Sequence, residues 1–139
     1  MKKDVFITIM GMQQGSGEET LTTAVPAIYH LANGKHYIQY DELLEGGNEV
    51  VKSMLKISTS EVILSKRGMQ QSQMEFRVKE LTHTLYQTPY GSLNLEINTK
   101  SIQLKEENSK LEVKLDYSLS VDASKLSDNL LLITIEAVK

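Results

Sequence analysis

The sequence predicts an all-β protein, a single antiparallel up-and-down barrel of about eight to ten strands spanning residues 1–139. Three observations carry that expectation. Apolar and polar residues alternate with period two along most of the chain, turn residues recur at hairpin spacing, and no connection reads as a crossover helix, so successive strands are antiparallel. That many strands in one open sheet would leave two edges free to aggregate, and closure removes both.

The first strand holds Val5, Ile7 and Ile9 against Phe6, Thr8 and Met10, apolar on both faces, and Gly11 ends or kinks it. Thr20–Thr23 and Ala27–Ala32 follow, separated by Pro26, which cannot donate to a ladder and marks an edge, bulge or bend. Asn33-Gly34 is the sharpest local signal, because both residues tolerate the positive φ of a two-residue type I′ turn. The turn sets a register of Ala32 with Lys35, Leu31 with His36, His30 with Tyr37, Tyr29 with Ile38, Ile28 with Gln39 and Ala27 with Tyr40. Ala27, Tyr29, Leu31, His36, Ile38 and Tyr40 then face the interior, and parity carries Glu42 inward and Asp41 outward.

Gly46-Gly47-Asn48 is a loop. Val50–Ile57 suits a helix through Val50, Val51, Met54 and Leu55, but Val51, Leu55 and Ile57 share a strand face with Ser53 as a gap, and a strand is the assignment made. Glu61–Arg67, Gln73–Lys79 and His83–Thr88 are read as strands, split by Gly68 and a polar join at Glu80, with Met74, Phe76 and Val78 inward. Leu93, Leu95, Ile97 and Thr99 form one face of a long strand. Leu111, Val113, Leu115, Tyr117, Leu119 and Val121 form one face of the next, after a turn at Glu106–Ser109. Asp122–Asn129 reads as a polar connection and Leu130–Val138 as the last strand.

A chain of 139 residues suits one domain, which buries roughly two thirds of the surface its unfolded form exposes. It has no cysteine, so disulfides and thiolate metal sites are excluded and a cytoplasmic setting is expected. Val5–Met10 is too short for a signal sequence, and no stretch approaches the ~18 apolar residues of a membrane helix. A net charge of −3 offers no general attraction to nucleic acid.

Signatures of catalysis are lacking. Gly11–Gly17 follows a strand but has neither the Lys-Ser/Thr ending nor the helix of a phosphate loop. The hairpin register puts His30 and His36 on opposite faces, and neither shares a close-spaced motif with His83, so no metal is expected. No Gly-x-Ser-x-Gly elbow occurs. An enzyme would need a pair such as Glu42 with His83 or Tyr86 in one cleft, and none is expected; nor is any cofactor.

Asn33-Gly34-Lys35 with Tyr37–Glu42, Lys56-Ile57, Arg67-Gly68, Phe76, Tyr86-x-Thr88-Pro89-Tyr90-Gly91 and Leu115-x-Tyr117-x-Leu119, in that order and nearly end to end, resemble the YwiB-like family of uncharacterised bacterial calycin-type, lipocalin-like β-barrel proteins. The resemblance implies a barrel in a bacterial cytoplasm and brings no reaction with it. Calycin relatives often hold small apolar molecules, an analogy of fold alone. It singles out Tyr40, Glu42, Arg67, Tyr86, Thr88 and Tyr90 as polar groups near a barrel mouth, with a ligand's apolar body against Phe76, Val113, Leu115, Tyr117 and Leu119. The same set can instead tie a barrel end shut, with an Arg–Glu pair and tyrosine hydroxyls. The expected function is binding of a small, partly apolar ligand without catalysis, by a monomer or homodimer that engages neither nucleic acid nor membrane. The alternative is a structural or regulatory interaction module acting through an outer face or dimer contact.

Overall fold

The computed structural model describes residues 2–13, 19–43, 50–67, 71–88, 91–121 and 124–138, with the backbone alone at 2, 19–23, 43, 71–72 and 86–88. Ten strands account for nearly all of them: β1 (Lys2–Gln13), β2 (Glu19–Ala32), β3 (Lys35–Leu43), β4 (Val50–Ile57), β5 (Glu61–Arg67), β6 (Gln71–Arg77), β7 (Leu81–Thr88), β8 (Gly91–Glu107), β9 (Lys110–Val121) and β10 (Ser124–Ala137). They form one antiparallel sheet in the order β6-β5-β4-β3-β2-β1-β10-β9-β8-β7. The first and last strands of the chain meet in an unbroken register from Val5 opposite Ala137 to Gln13 opposite Asn129. The sheet's own ends, β6 and β7, come together to make a nearly closed barrel.

That last junction is a seam of side chains. Thr84 Oγ1 donates to the Gln73 carbonyl at 2.9 Å and Thr82 Oγ1 to the Glu75 carbonyl at 2.5 Å, so two β7 hydroxyls satisfy two β6 acceptors where no backbone ladder forms. Both threonines are buried. On the outside, Arg77 bridges Glu61 of β5 at 2.7 Å and Glu75 at 3.0 Å.

Period-two alternation fills the interior. Ile7, Ile38, Leu55, Ile57, Val62, Phe76, Ile97, Val113, Leu115 and Ile133 are all 2% exposed or less, each contributing about 1.5–3 kcal/mol on burial. Phe76 meets Tyr117 edge to face, with ring centroids 4.9 Å apart. Near the β2–β3 turn the buried His36 is held from two sides: Tyr29 Oη lies 2.7 Å from its Nδ1, and Glu106 Oε1 of β8 lies 2.8 Å from its Nε2. Burial, then the Glu106 carboxylate, pushes the Tyr29 phenol above its ordinary value.

The β2–β3 hairpin turns on Asn33 and Gly34 at φ +53° and +75°, with the expected register from Ala32–Lys35 to Ile28–Gln39. The sixth expected pair, Ala27 with Tyr40, does not form. Residues flanking a two-residue turn share a hydrogen-bonded pair, and such pairs recur at every second position. The next one after Ile28–Gln39 would be Pro26–Asp41, where proline has no N–H to give. Toward β1 the same Pro26 sits opposite Phe6 at a position that needs no N–H, so β2 continues through it as one strand rather than breaking in two.

Four further expectations are corrected. Leu31, placed inward, is 54% exposed because it lies at the hairpin tip beyond the core. Val78 belongs to a turn after β6, where Lys79 takes φ +63°. The turn before β9 narrows to residues 108–109, since β8 runs on to Glu107. β10 begins at Ser124, six residues before Leu130, because pairing with β9 as far as Ser124–Val121 supplies the order that polar side chains did not advertise.

Candidate functional site

Past Pro26 the barrel wall opens. β2 from Glu19 to Ala27 pairs with β1 alone, and β3 from Tyr40 to Leu43 pairs with β4 alone. A cavity of about 900 Å³ occupies this place. Its apolar lining comes from Val25, Pro26, Ala27, Ile28 and Met54, its inner polar groups are Tyr40 and Ser53, and its outer lip carries Asp41, Lys52 and Arg67.

The inner groups are set by strand parity. Tyr40 and Ser53 oppose each other across β3 and β4 and are both 4% exposed. Burial, then the nearby Glu42 carboxylate, drives the Tyr40 phenol far above its ordinary range against a smaller lowering by its hydrogen-bonding contact with Ser53, so the site keeps a neutral O–H donor. Ser53 Oγ is buried beside that phenol, but no donor or acceptor, the phenol included, meets it in full hydrogen-bond geometry. A buried hydroxyl left without a partner costs about 1–3 kcal/mol; Thr99 Oγ1 and Asp116 Oδ1 are in the same state elsewhere, but of the three only Ser53 lines the cavity.

The outer groups follow the opposite parity. Asp41, Lys52 and Arg67 form one cross-strand row on β3, β4 and β5. Among the described residues neither Lys52 nor Arg67 has an ion-pair partner. The inward neighbour of Arg67, Lys66, instead reaches Glu42, with Nζ 3.7 Å from Oε2. The indoor acid–base pair expected at this end therefore uses Lys66, while Arg67 stands exposed on the outer lip.

The other residues singled out by sequence fall elsewhere. Phe76, Val113 and Leu115 are sealed in the core, and Tyr117, its phenol raised by burial, packs on Phe76. Backbone pairing sets Tyr86 opposite Leu93 and Thr88 opposite Gly91, while their side chains and all of Tyr90 lie outside the described residues. His83 is exposed on the outer face of β7, in a shallower cleft of about 400 Å³ that also touches Lys66, Arg67 and Glu75. Glu42 lies on the inward parity of β3 and His83 on the outward parity of β7. Among the described residues no three His, Asp or Glu side chains converge as metal ligands.

Sequence reasoning missed Ser53, treated as a gap in an apolar face, and Lys52. A usable signal was present: counting hydrogen-bonding positions back from Asn33-Gly34 as 32, 30, 28 and 26 lands on the proline.

Ten antiparallel strands around an apolar core, with a lateral opening past Pro26, define a small β-barrel protein. The chain belongs to the family described as Domain of unknown function (DUF1934), which matches residues 7–133. It is 26% identical over 124 residues to the uncharacterized beta-barrel protein YwiB of Bacillus subtilis (strain 168), covering 87% of this chain and 86% of that protein. It also superposes on the crystal structure of the ywiB protein from Bacillus subtilis with a TM-score of 0.81 at 22% identity, over 99% of this chain and 94% of that one, a likeness of fold.

Proposed function

We propose that this barrel binds a small, partly apolar molecule and performs no chemistry on it, and that the molecule enters through the side wall between β2 and β3 rather than at an end of the barrel. One observation carries this reading: the opening runs from an exposed charged lip to a buried, unpartnered Ser53 hydroxyl beside the Tyr40 phenol. Its size lies within the roughly 300–1,000 Å³ of small-molecule sites, and its lining mixes apolar surface with a few polar groups in the way such sites do. A thermal-shift screen against a panel of lipids and metabolites tests it. At least one compound should raise the unfolding temperature of the native protein and lose that effect in Ser53→Phe, which fills the opening. No shift from any compound would sink the reading.

A second reading, association of two copies, is favoured by apolar residues on the outside of β2, β1 and β10. Phe6 pairs there with Pro26 and Met10 with Leu132, and Phe6 and Leu132 are each 41% exposed. Sedimentation equilibrium showing a monomer at all concentrations would remove it.

A further inference from the structure

Resting on the reading of the β2–β3 opening as a ligand site, we propose the class of ligand it takes: an amphipathic anion, with its negative head between Lys52 and Arg67 and its apolar body lying past Pro26 and Ile28 toward Ala27, Tyr40 and Ser53.

The lip supplies the first argument. Lys52 and Arg67 are direct cross-strand partners, which brings their Cβ atoms within about 4.5–5.5 Å of each other, and like charges so placed destabilise a sheet. Other exposed cations, such as Lys3, Lys79 and Lys114, also stand without an ion pair among the described residues, but the register sets no two of them directly opposite each other as it does Lys52 and Arg67. Asp41 opposes Lys52 from the β3 side, yet no ion pair forms, and Asp4 lies farther off on β1 opposite Ile28. Both acids are on the β1 and β3 side and both cations on the β4 and β5 side, so an incoming anion has one place to go. Arg67 presents a planar fork of donors suited to a carboxylate or phosphate, and Lys52 adds a point charge beside it.

The interior supplies the second. An apolar tail alone would leave Ser53 Oγ as orphaned as it is now. A ligand whose chain carries one hydrogen-bonding group below the head would satisfy it, whereas a plain tail would at least exclude water from Ala27 and Tyr40. The amphipathic shape follows from the order of the lining: charge at the lip, apolar surface in the passage, hydroxyls at the inner end.

Octanoate, 1-octanol and octylammonium share one chain and differ in charge, so calorimetric titration of the native protein with each separates head from tail. Octanoate should bind roughly tenfold more tightly than octanol at low ionic strength and lose that advantage as salt is added. Octylammonium should bind no better than octanol. The Lys52→Gln/Arg67→Gln protein alters only exposed side chains; in it octanoate should fall to within about threefold of octanol, with octanol itself unchanged. Equal affinity for octanoate and octanol, or a preference for octylammonium, would overturn the anionic head while leaving the cavity reading intact. Binding of none of the three would overturn both.

Discussion

Among the described residues the barrel wall is interrupted at β6–β7 and past Pro26 at β2–β3, and the two interruptions are treated differently. Between β6 and β7 the backbone ladder is missing, but Thr82 and Thr84 reach across and satisfy the carbonyls of Glu75 and Gln73. Between β2 and β3 the ladder stops at Ile28–Gln39, no side-chain hydrogen bond crosses among the described residues, and the buried Ser53 hydroxyl has no partner in full hydrogen-bond geometry. A junction needed only for closure gets its hydrogen bonds back from side chains. The β2–β3 junction instead brings together a cavity, a buried hydroxyl and two cations set side by side, which is why the candidate site is placed there and not at the seam.

Mutations can test this contrast. The largest loss is expected under the seam: Phe76→Ala, at a β6 residue 2% exposed and packed on Tyr117, should cost about 3–5 kcal/mol by urea denaturation. Removing the stitches themselves, Thr82→Val with Thr84→Val, keeps the volume and should cost about 2–3 kcal/mol, with serine at both positions restoring most of it. A valine pair as stable as the native protein would show the seam to be dispensable and the contrast empty.

The next effect is one of pH. Tyr40, Tyr29 and Tyr117 all have phenols raised above 10.0, each chiefly by burial, so folding favours their neutral forms. Their contribution is complete below pH 10 and is lost as pH climbs from there through the raised folded values. Urea midpoints should therefore fall steeply above pH 10, and Tyr40→Phe, beside the opening, should flatten that fall. An unaltered slope in this variant would argue against a dry inner end.

On the open side the stability changes should be small. Pro26→Val returns an N–H at the position facing Asp41, and its gain offsets the looser unfolded chain, leaving stability within about 1 kcal/mol of native. The amide of residue 26 should then be protected from hydrogen exchange and ligand affinity should drop. Free exchange there would mean the gap has another cause. Smallest of all, Ser53→Ala deletes the orphaned hydroxyl and should leave stability unchanged or raise it by up to about 1 kcal/mol. A loss larger than that would reveal a hydrogen bond at Ser53 and weaken the case for the site.

The barrel was legible in the sequence because period two is a direct signature of one buried face. Leu55 with Ile57 and Val113 with Leu115 each share one buried face, as their alternation has them, whereas β1, apolar on both faces, did not show which side Ile7 and Ile9 would bury. Asn33-Gly34 fixed a register because so few residue pairs accept two positive φ values. β10 was under-read, since Ser124–Asn129 owes its order to β9 rather than to its own side chains. The site was the least legible part. Ser53 looks like a flaw in an apolar face, and only the absence of a partner in three dimensions makes it meaningful. Lys52 and Arg67 are far apart in sequence, and the β4–β5 register alone makes them neighbours.

The seam also separates two kinds of terminus. Because β1 lies against β10 in a full ladder while β6 and β7 share none, the sheet begins and ends in the middle of the polypeptide. A circularly permuted chain opened at residues 78–80, with its former ends linked, would start at β7, finish at β6 and keep all nine strand pairings. Such a permutant would fold to the same barrel while freeing both new ends beside the threonine stitches, where tags or probes could be carried at a distance from the opening past Pro26.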